Sequence, residues 1–454
     1  MSSLLLLLPV LFGALLVGVV LKEAHPLFAL PLGCGVGTVS GLMLLDLYLQ
    51  LGLSLPHAMI ALYLSFFLGS LVLGWKASRQ TDRAQKLAIS APVWTYLIAG
   101  GAFVHYVSMA LSFMEIDPDF WVHTPMQAQL LSGVYPPVNP FLPDIVYGGH
   151  FAKDLLIVAV SWTSGAELLA CHAPVASFLQ VNAFLLLFLA AYSERGQYAG
   201  LFVSLLVFTG ANVGFRGGWL DTLANNTSLA NMHTALLLFL LMRTLFRRVQ
   251  LGEAVVTGIM FGGLAWTYET NFVPLCAGLG VLALLTAAVG KFTLRNAGLG
   301  VLLCSLACVC GRVYGVLLGD LLLKVVRAEE PVAQNERLQA QEVTISVQFP
   351  KERLLQVKLT RPGEVFSIAY RVYKPLQRRF QDPGPIGYVS LLDPVFLRMH
   401  WLAYYLSPLA LVVLLRKFSR DKSPLPIGLF LWCVGGASLA IPALVDFGIW
   451  EEEV

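Results

Sequence analysis

The sequence predicts an all-α integral membrane protein of about twelve transmembrane helices, with a small extracytoplasmic segment of α/β character. Three observations carry that prediction. Hydrophobic residues make up 57% of the chain and charged residues 13%, roughly half the charge a water-facing domain needs to cover its surface. Apolar runs of about twenty residues, the length that crosses a hydrocarbon core, recur from end to end. Lysine and arginine then gather at alternate ends of those runs, as they do in cytoplasmic loops. The net charge of +3 is too small to point to a nucleic-acid partner.

The candidate spans are 3–21, 27–49, 56–75, 88–113, 173–192, 199–214, 230–246, 252–267, 272–290, 297–323, 399–416 and 425–444. The first run follows only Met-Ser-Ser, and Lys22-Glu23-Ala24-His25-Pro26 succeeds it. Without a basic leader or a small-x-small cleavage site, it reads as a retained span. Residues 153–170 are apolar too, but Asp154, Ser161, Ser164 and Glu167 mark them as a weaker, re-entrant or interfacial segment. The seven cysteines lack zinc-type spacing and read as packing residues.

Orientation follows from four basic clusters. These are Lys76, Arg79, Arg83 and Lys86; Arg243, Arg247 and Arg248; Lys291 and Arg295; and Arg416, Lys417, Arg420 and Lys422. Alternation of the spans puts all four on one side, assigned to the cytoplasm of a bacterial inner membrane. Both termini and the segments 114–172, 215–229, 268–271 and 324–398 then lie outside. The chain divides into three N-terminal helices (1–87), a transmembrane core (88–323) whose first external loop is 114–172, an extracytoplasmic segment (324–398) and C-terminal helices (399–454). Within 324–398, Glu342–Phe349 alternates like a strand. Residues 363–380 read as a helix with Arg371, Lys374 and Arg378 on one face. A cap over a membrane cavity is the expected role of this segment.

One external stretch differs from its surroundings. Glu115, Asp117 and Asp119 come directly after a span, and His123 lies four residues further on. Ionisable groups at a membrane edge are costly unless solvated, paired or bound to a cation. Oxygen-rich clusters of this kind suit magnesium or manganese, with Asp117 and Asp119 as ligands, or one aspartate serves as a general base. The plainer alternative is a solvated acidic loop. Tyr135-Pro136-Pro137, Pro140 and Pro143 stiffen the remainder of the loop, and Trp121, Tyr135, Phe141 and Tyr147 line it. A rigid loop with aromatics and a few acids reads as a binding site.

The order of these features, an acid just outside an early helix, an amphipathic stretch, then Gly133-Val-Tyr-Pro-Pro-Val-Asn-Pro-Phe141, resembles the first external loop of bacterial polytopic glycosyltransferases. These belong to the superfamily with the GT-C fold and include relatives of the protein mannosyltransferases. The resemblance is strongest over about 115–155 and diffuse over the spans from 88 to 320; the three spans before 88 are additional to it. It implies transfer of a sugar from a polyprenyl-phosphate donor in the membrane lipid to an acceptor on the outer face. It also implies that a first-loop acid is the base: Asp119 or Asp117, with Glu115 beside them. The family form has two adjacent acids or one acid in a fixed context, whereas Pro118 here separates Glu-x-Asp-x-Asp into alternating acids.

Other outward groups are candidates for substrate contact. Arg216 opens a short Gly-Gly turn and suits a phosphate, while Asp221 suits a hydroxyl. Glu269 and Asn271 interrupt an apolar region beside Trp266 and Tyr268, a combination that stacks on a sugar and bonds its hydroxyls. Arg371 and Lys374 offer cations to the donor phosphate. Interfacial anchoring is the plainer reading of each. His105, inside a span, is expected to hydrogen-bond a neighbouring helix, and His172 to be structural or interfacial. Two rival functions remain open: a transporter or flippase of lipid-linked substrates, which needs polar groups near mid-membrane, and a non-catalytic membrane subunit of the same fold.

Overall fold

A computed structural model describes residues 5–22, 25–79, 89–114, 120–139, 142–146, 151–209, 227–246, 251–288, 343–349, 353–359 and 367–371. To these it adds helical positions between 298 and 310 and at 412, 416 and 433. The chain divides into two compact units, residues 1–272 with 292–318, and residues 273–291 with 319–454. The described residues of the first unit are almost all helical.

Its elements are α1 (Leu7–Leu16, continued by a π-helical turn Val17–Leu21), α2 (Pro26–Gln50), α3 (Leu55–Ser78), α4 (Ala91–Met114) and α5 (Phe120–Leu131). A short hairpin, β1 (Val138–Asn139) and β2 (Leu142–Val146), precedes α6 (Ala152–Ser164). Then come α7 (Leu168–Arg195), α8 (Gln197–Thr209), α9 (Ser228–Phe246), α10 (Leu251–Thr267) and α11 (Glu269–Ala288), the last continuing into the second unit. Among the described residues, four helices are long and apolar enough to cross a membrane: α2, α3, Leu168–Ser193 of α7 and Asn271–Ala288 of α11.

Local chemistry starts and stops these helices. Pro26 supplies a preset φ at the first position of α2, and the His25 side chain accepts from the Leu27 N–H at 3.2 Å. Gly165, at φ 74°, closes α6 in a left-handed conformation that a side chain would oppose.

Membrane helices gain little from the hydrophobic effect when they meet, so close backbone approach supplies the dispersion energy. α1 and α2 do this through Gly13, Gly33 and Gly37. A Cβ at Gly13 would run into the Gly33 carbonyl, and one at Gly37 into the Pro9 carbonyl. Backbone cannot move aside as a side chain can. Gly37→Leu is therefore expected to destabilise by about 1–3 kcal/mol, the usual range for overpacking. Gly74→Leu, with nothing near its Cβ position, should leave the thermal midpoint in detergent unchanged. Equal midpoints for the two variants would contradict the packing account.

α2 and α7 form the buried centre. Leu32, Val36 and Val39 of α2 and Leu179, Leu186 and Phe188 of α7 are fully buried. Outer helices show the reverse: α3 leaves Ile60, Leu64, Phe67, Leu68, Leu71 and Trp75 at least half exposed along one face. A continuous apolar stripe of that length is stable facing lipid and unstable facing water.

Residues 153–170, expected to be a weak interfacial segment, contain a well-formed helix. α6 buries Leu155, Ile157 and Val158 completely, and Asp154, Ser161 and Thr163 turn inward as well. Thr163 bonds Tyr63 of α3 at 2.5 Å, and Ser161 Oγ donates to the Ala166 carbonyl at 2.7 Å. Of the polar residues that weakened the membrane reading, Asp154 and Ser161 serve internal hydrogen bonds, whereas Ser164 and Glu167 are exposed.

The second unit contains an antiparallel meander of β3 (Val343–Phe349), β4 (Arg353–Leu359) and β5 (Ser367–Arg371). Val343 pairs with Leu359, and Leu354 with Arg371. The helix expected over 363–380 is overturned across 367–371. There, Ile368 and Tyr370 alternate with Ser367, Ala369 and Arg371, a period of two that fits a strand. β4 then supplies the backbone partners that a helix would have found internally.

Candidate functional site

α6 starts just after the hairpin, and its first turn carries Asp154, which is 1% exposed. α5 lays His123 and Gln127 one turn apart, and so on one face. Both reach Asp154: His123 Nδ1 lies 2.6 Å from Oδ2, and Gln127 Nε2 donates to Oδ1 at 2.7 Å. A carboxylate only accepts, so His123 carries its proton on Nδ1 and Gln127 turns its amide nitrogen inward. The Gln127 oxygen therefore faces outward and accepts from His172 Nε2 at 2.8 Å. One buried acid sets the direction of hydrogen bonds through four residues on α5, α6 and α7.

A second node lies at the end of α2. Asp46, also 1% exposed, accepts from Gln50 Nε2 at 2.8 Å and from the Tyr135 hydroxyl. Tyr135 belongs to the Gly-x-Tyr-Pro-Pro run, and its bond to Pro136 is cis. Its ring packs edge-on against Phe151 at 6.1 Å, and Phe151 against Trp266 of α10 at 5.9 Å. The far end of the run is held to α5, since Val138 N–H donates to Gln129 Oε1 at 2.9 Å.

The starts of α9 and α11 and the end of α10 make a third. His233 is fully buried, with Nε2 donating to the Met260 carbonyl at 2.8 Å. In the neutral ring that leaves Nδ1 to accept from Thr267 Oγ1 at 2.7 Å. Asn271 Nδ2 donates to Thr234 Oγ1 at 3.0 Å. At the opposite end of α9, Arg243 donates to Glu253 at 2.9 Å and to the Leu21 carbonyl. Arg243, part of a basic cluster used to orient the spans, is a paired and largely buried cation.

Of the residues expected to act, His123 is described and buried in the Asp154 network rather than open to a substrate. Asn271 is half-buried and occupied with Thr234. Glu269 begins α11, with its side chain outside the described residues; Arg371 ends β5 in the second unit. Glu115, Asp117, Asp119, Arg216, Asp221 and Lys374 lie outside the described residues. Among those described, no three His, Cys, Asp or Glu side chains gather as a metal cage. His105 bonds Ser177 of α7 at 2.6 Å, the interhelical role expected of it. His172, expected to be structural or interfacial, is the outer member of the Asp154 network.

Asp46, Gln127 and Asp154 are what sequence reasoning missed. Asp46 is the lone charge in α2, and an ionisable group inside a span is a functional signal by default. Asp154, taken with its sequence neighbours alone, is only a flaw in an apolar run.

No family model, curated protein or solved structure matches this chain.

Proposed function

We propose that this chain is an integral membrane glycosyltransferase that moves a sugar from a polyprenyl-phosphate donor to an acceptor on the extracytoplasmic face. The observation that carries this reading is the mounting of the helix behind the acidic run. Only Glu115–Asp119 separates α4 from α5, and α5 is pinned in its first two turns by His123 and Gln127 to buried Asp154. A catalytic acid on a short connection between fixed helices costs little reorganisation when it acts. The first-loop resemblance supplies the chemistry. Asp119 takes the proton of the acceptor hydroxyl as its oxygen attacks the anomeric carbon. The anomeric C–O bond to phosphate breaks, and the polyprenyl phosphate leaves with the bonding pair. Asp117 and Asp119 are also the proposed ligands for a magnesium or manganese ion, a requirement read by chelation and readdition.

The test is transfer from radiolabelled polyprenyl-phosphate sugars in membranes. Asp119→Asn is expected to lose about 10²-fold or more in rate, the usual contribution of a positioned base. Full activity in both Asp119→Asn and Asp117→Asn variants that accumulate normally would remove the assignment.

One observation favours a transporter or flippase as a second reading. α7 buries Ser177, Gln180 and Asn182 well inside the helix, and Asn182 Nδ2 has no hydrogen-bond partner among the described atoms. Gln180 begins about 18 Å from the start of α7 at the usual helical rise. Lipid-linked substrate crossing vesicles that hold the purified protein, with no transfer, would establish this reading instead.

A further inference from the structure

The N-terminal helices are additional to the resemblance, yet they hold its most characteristic loop. α2 is mostly apolar, and Asp46 is its one charged residue. A buried carboxyl group in a span is costly without partners. The two partners here differ in kind. Gln50 comes from the same helix one turn on. Tyr135 comes from the Gly-x-Tyr-Pro-Pro run, far along the chain, and joins the Asp46 carboxyl to the external loop.

The surroundings make this bond a tether. Tyr48 Oη pairs with Ser65 Oγ of α3 at 2.6 Å, so the outer end of α2 is itself fixed. On its other side Tyr135 meets Phe151, which precedes α6 and leads within three residues to Asp154. The run from 132 to 138 is thus held by α2, by α5 through Gln129 and by Phe151. Of these three attachments, the one to α2 is made to a buried acid.

Resting on the glycosyltransferase reading for its role in turnover, but not for its structural content, we propose that Asp46 is a positioning residue. It fixes Tyr135 and so sets the conformation of the external loop, making α1–α3 a working part of the site rather than an appendage.

Hydrogen–deuterium exchange of the full chain in micelles tests this, alongside transfer kinetics. Tyr135→Phe removes the donor and Asp46→Leu the acceptor. Each is expected to speed exchange of the 129–139 peptide about tenfold or more, the scale of losing a hydrogen bond and leaving its buried partner unsatisfied. Peptides of α6 and α7 should not change. Asp46→Asn keeps an acceptor oxygen for Tyr135, because Gln50 can turn its amide to match, and should restore near-normal exchange. The double variant Asp46→Leu/Tyr135→Phe should exchange no faster than either single one. In transfer, the disrupted variants should lose kcat with little change in KM, and Asp46→Asn should retain most of both.

Unchanged exchange in Tyr135→Phe and Asp46→Leu would overturn the proposal. So would acceleration spread equally over α2, α6 and α7, or an Asp46→Asn variant as damaged as Asp46→Leu. If wild type transfers no sugar from any donor, the glycosyltransferase reading falls and the exchange pattern still decides the role of Asp46.

Discussion

Replacing Asp154 with leucine is expected to lower the unfolding free energy by about 3–5 kcal/mol, the cost of removing one partner from a buried charged network. Asp154 is 1% exposed and accepts from two side chains of α5. Leucine would leave the His123 N–H and the Gln127 amide buried against hydrocarbon, and each lost hydrogen bond carries a desolvation penalty of about 1–3 kcal/mol. The effect would propagate, because the orientation of Gln127 also determines which atom meets His172. Asp154→Asn provides the informative contrast. It keeps one acceptor oxygen for Gln127 and presents an amide N–H₂ to His123, which can accept only by moving its proton to Nε2. Most of the stability should return, while any function that depends on the His123 tautomer should not. Denaturation in mixed micelles, with both variants measured beside wild type, checks this. A leucine variant within about 1 kcal/mol of wild type would mean that the network adds little.

Helix positions were largely legible in the sequence, because twenty-residue apolar runs leave few alternatives to a helix in lipid. Runs predicted at 27–49, 56–75 and 230–246 are matched by helices Pro26–Gln50, Leu55–Ser78 and Ser228–Phe246. The polar interior was not legible, since its significance depends on partners distant in sequence. Asp154 and His123 are 31 residues apart, and Asp46 and Tyr135 are 89 apart. Read along the chain, Asp154 weakens a span and His123 is a candidate substrate contact in the first external loop. Together they satisfy one another. The same limit explains residues 367–371, where local spacing of basic residues suggested a helix and a neighbouring strand decided otherwise.

Arg243 gives the second large expected effect. It ends α9 and donates to Glu253 at 2.9 Å and to the Leu21 carbonyl at the end of the first helix. Side-chain exposures of 14% and 6% leave little room for water to replace either partner. Arg243→Met should therefore cost about 3–5 kcal/mol, most of it from stranding the Glu253 charge. Arg243→Met/Glu253→Met should recover much of that loss, because two packed apolar side chains often match a buried ion pair in stability. What the double variant cannot restore is the bond to Leu21, which ties the end of α1 to α9 and α10. Its residual deficit should therefore appear as faster exchange at the end of α1, with α9 and α10 protected as in wild type. A double variant no better than Arg243→Met would locate the stabilisation in the Leu21 bond rather than the ion pair. Full recovery with undisturbed exchange at α1 would show that the bond to Leu21 adds nothing to the association of the three helix ends.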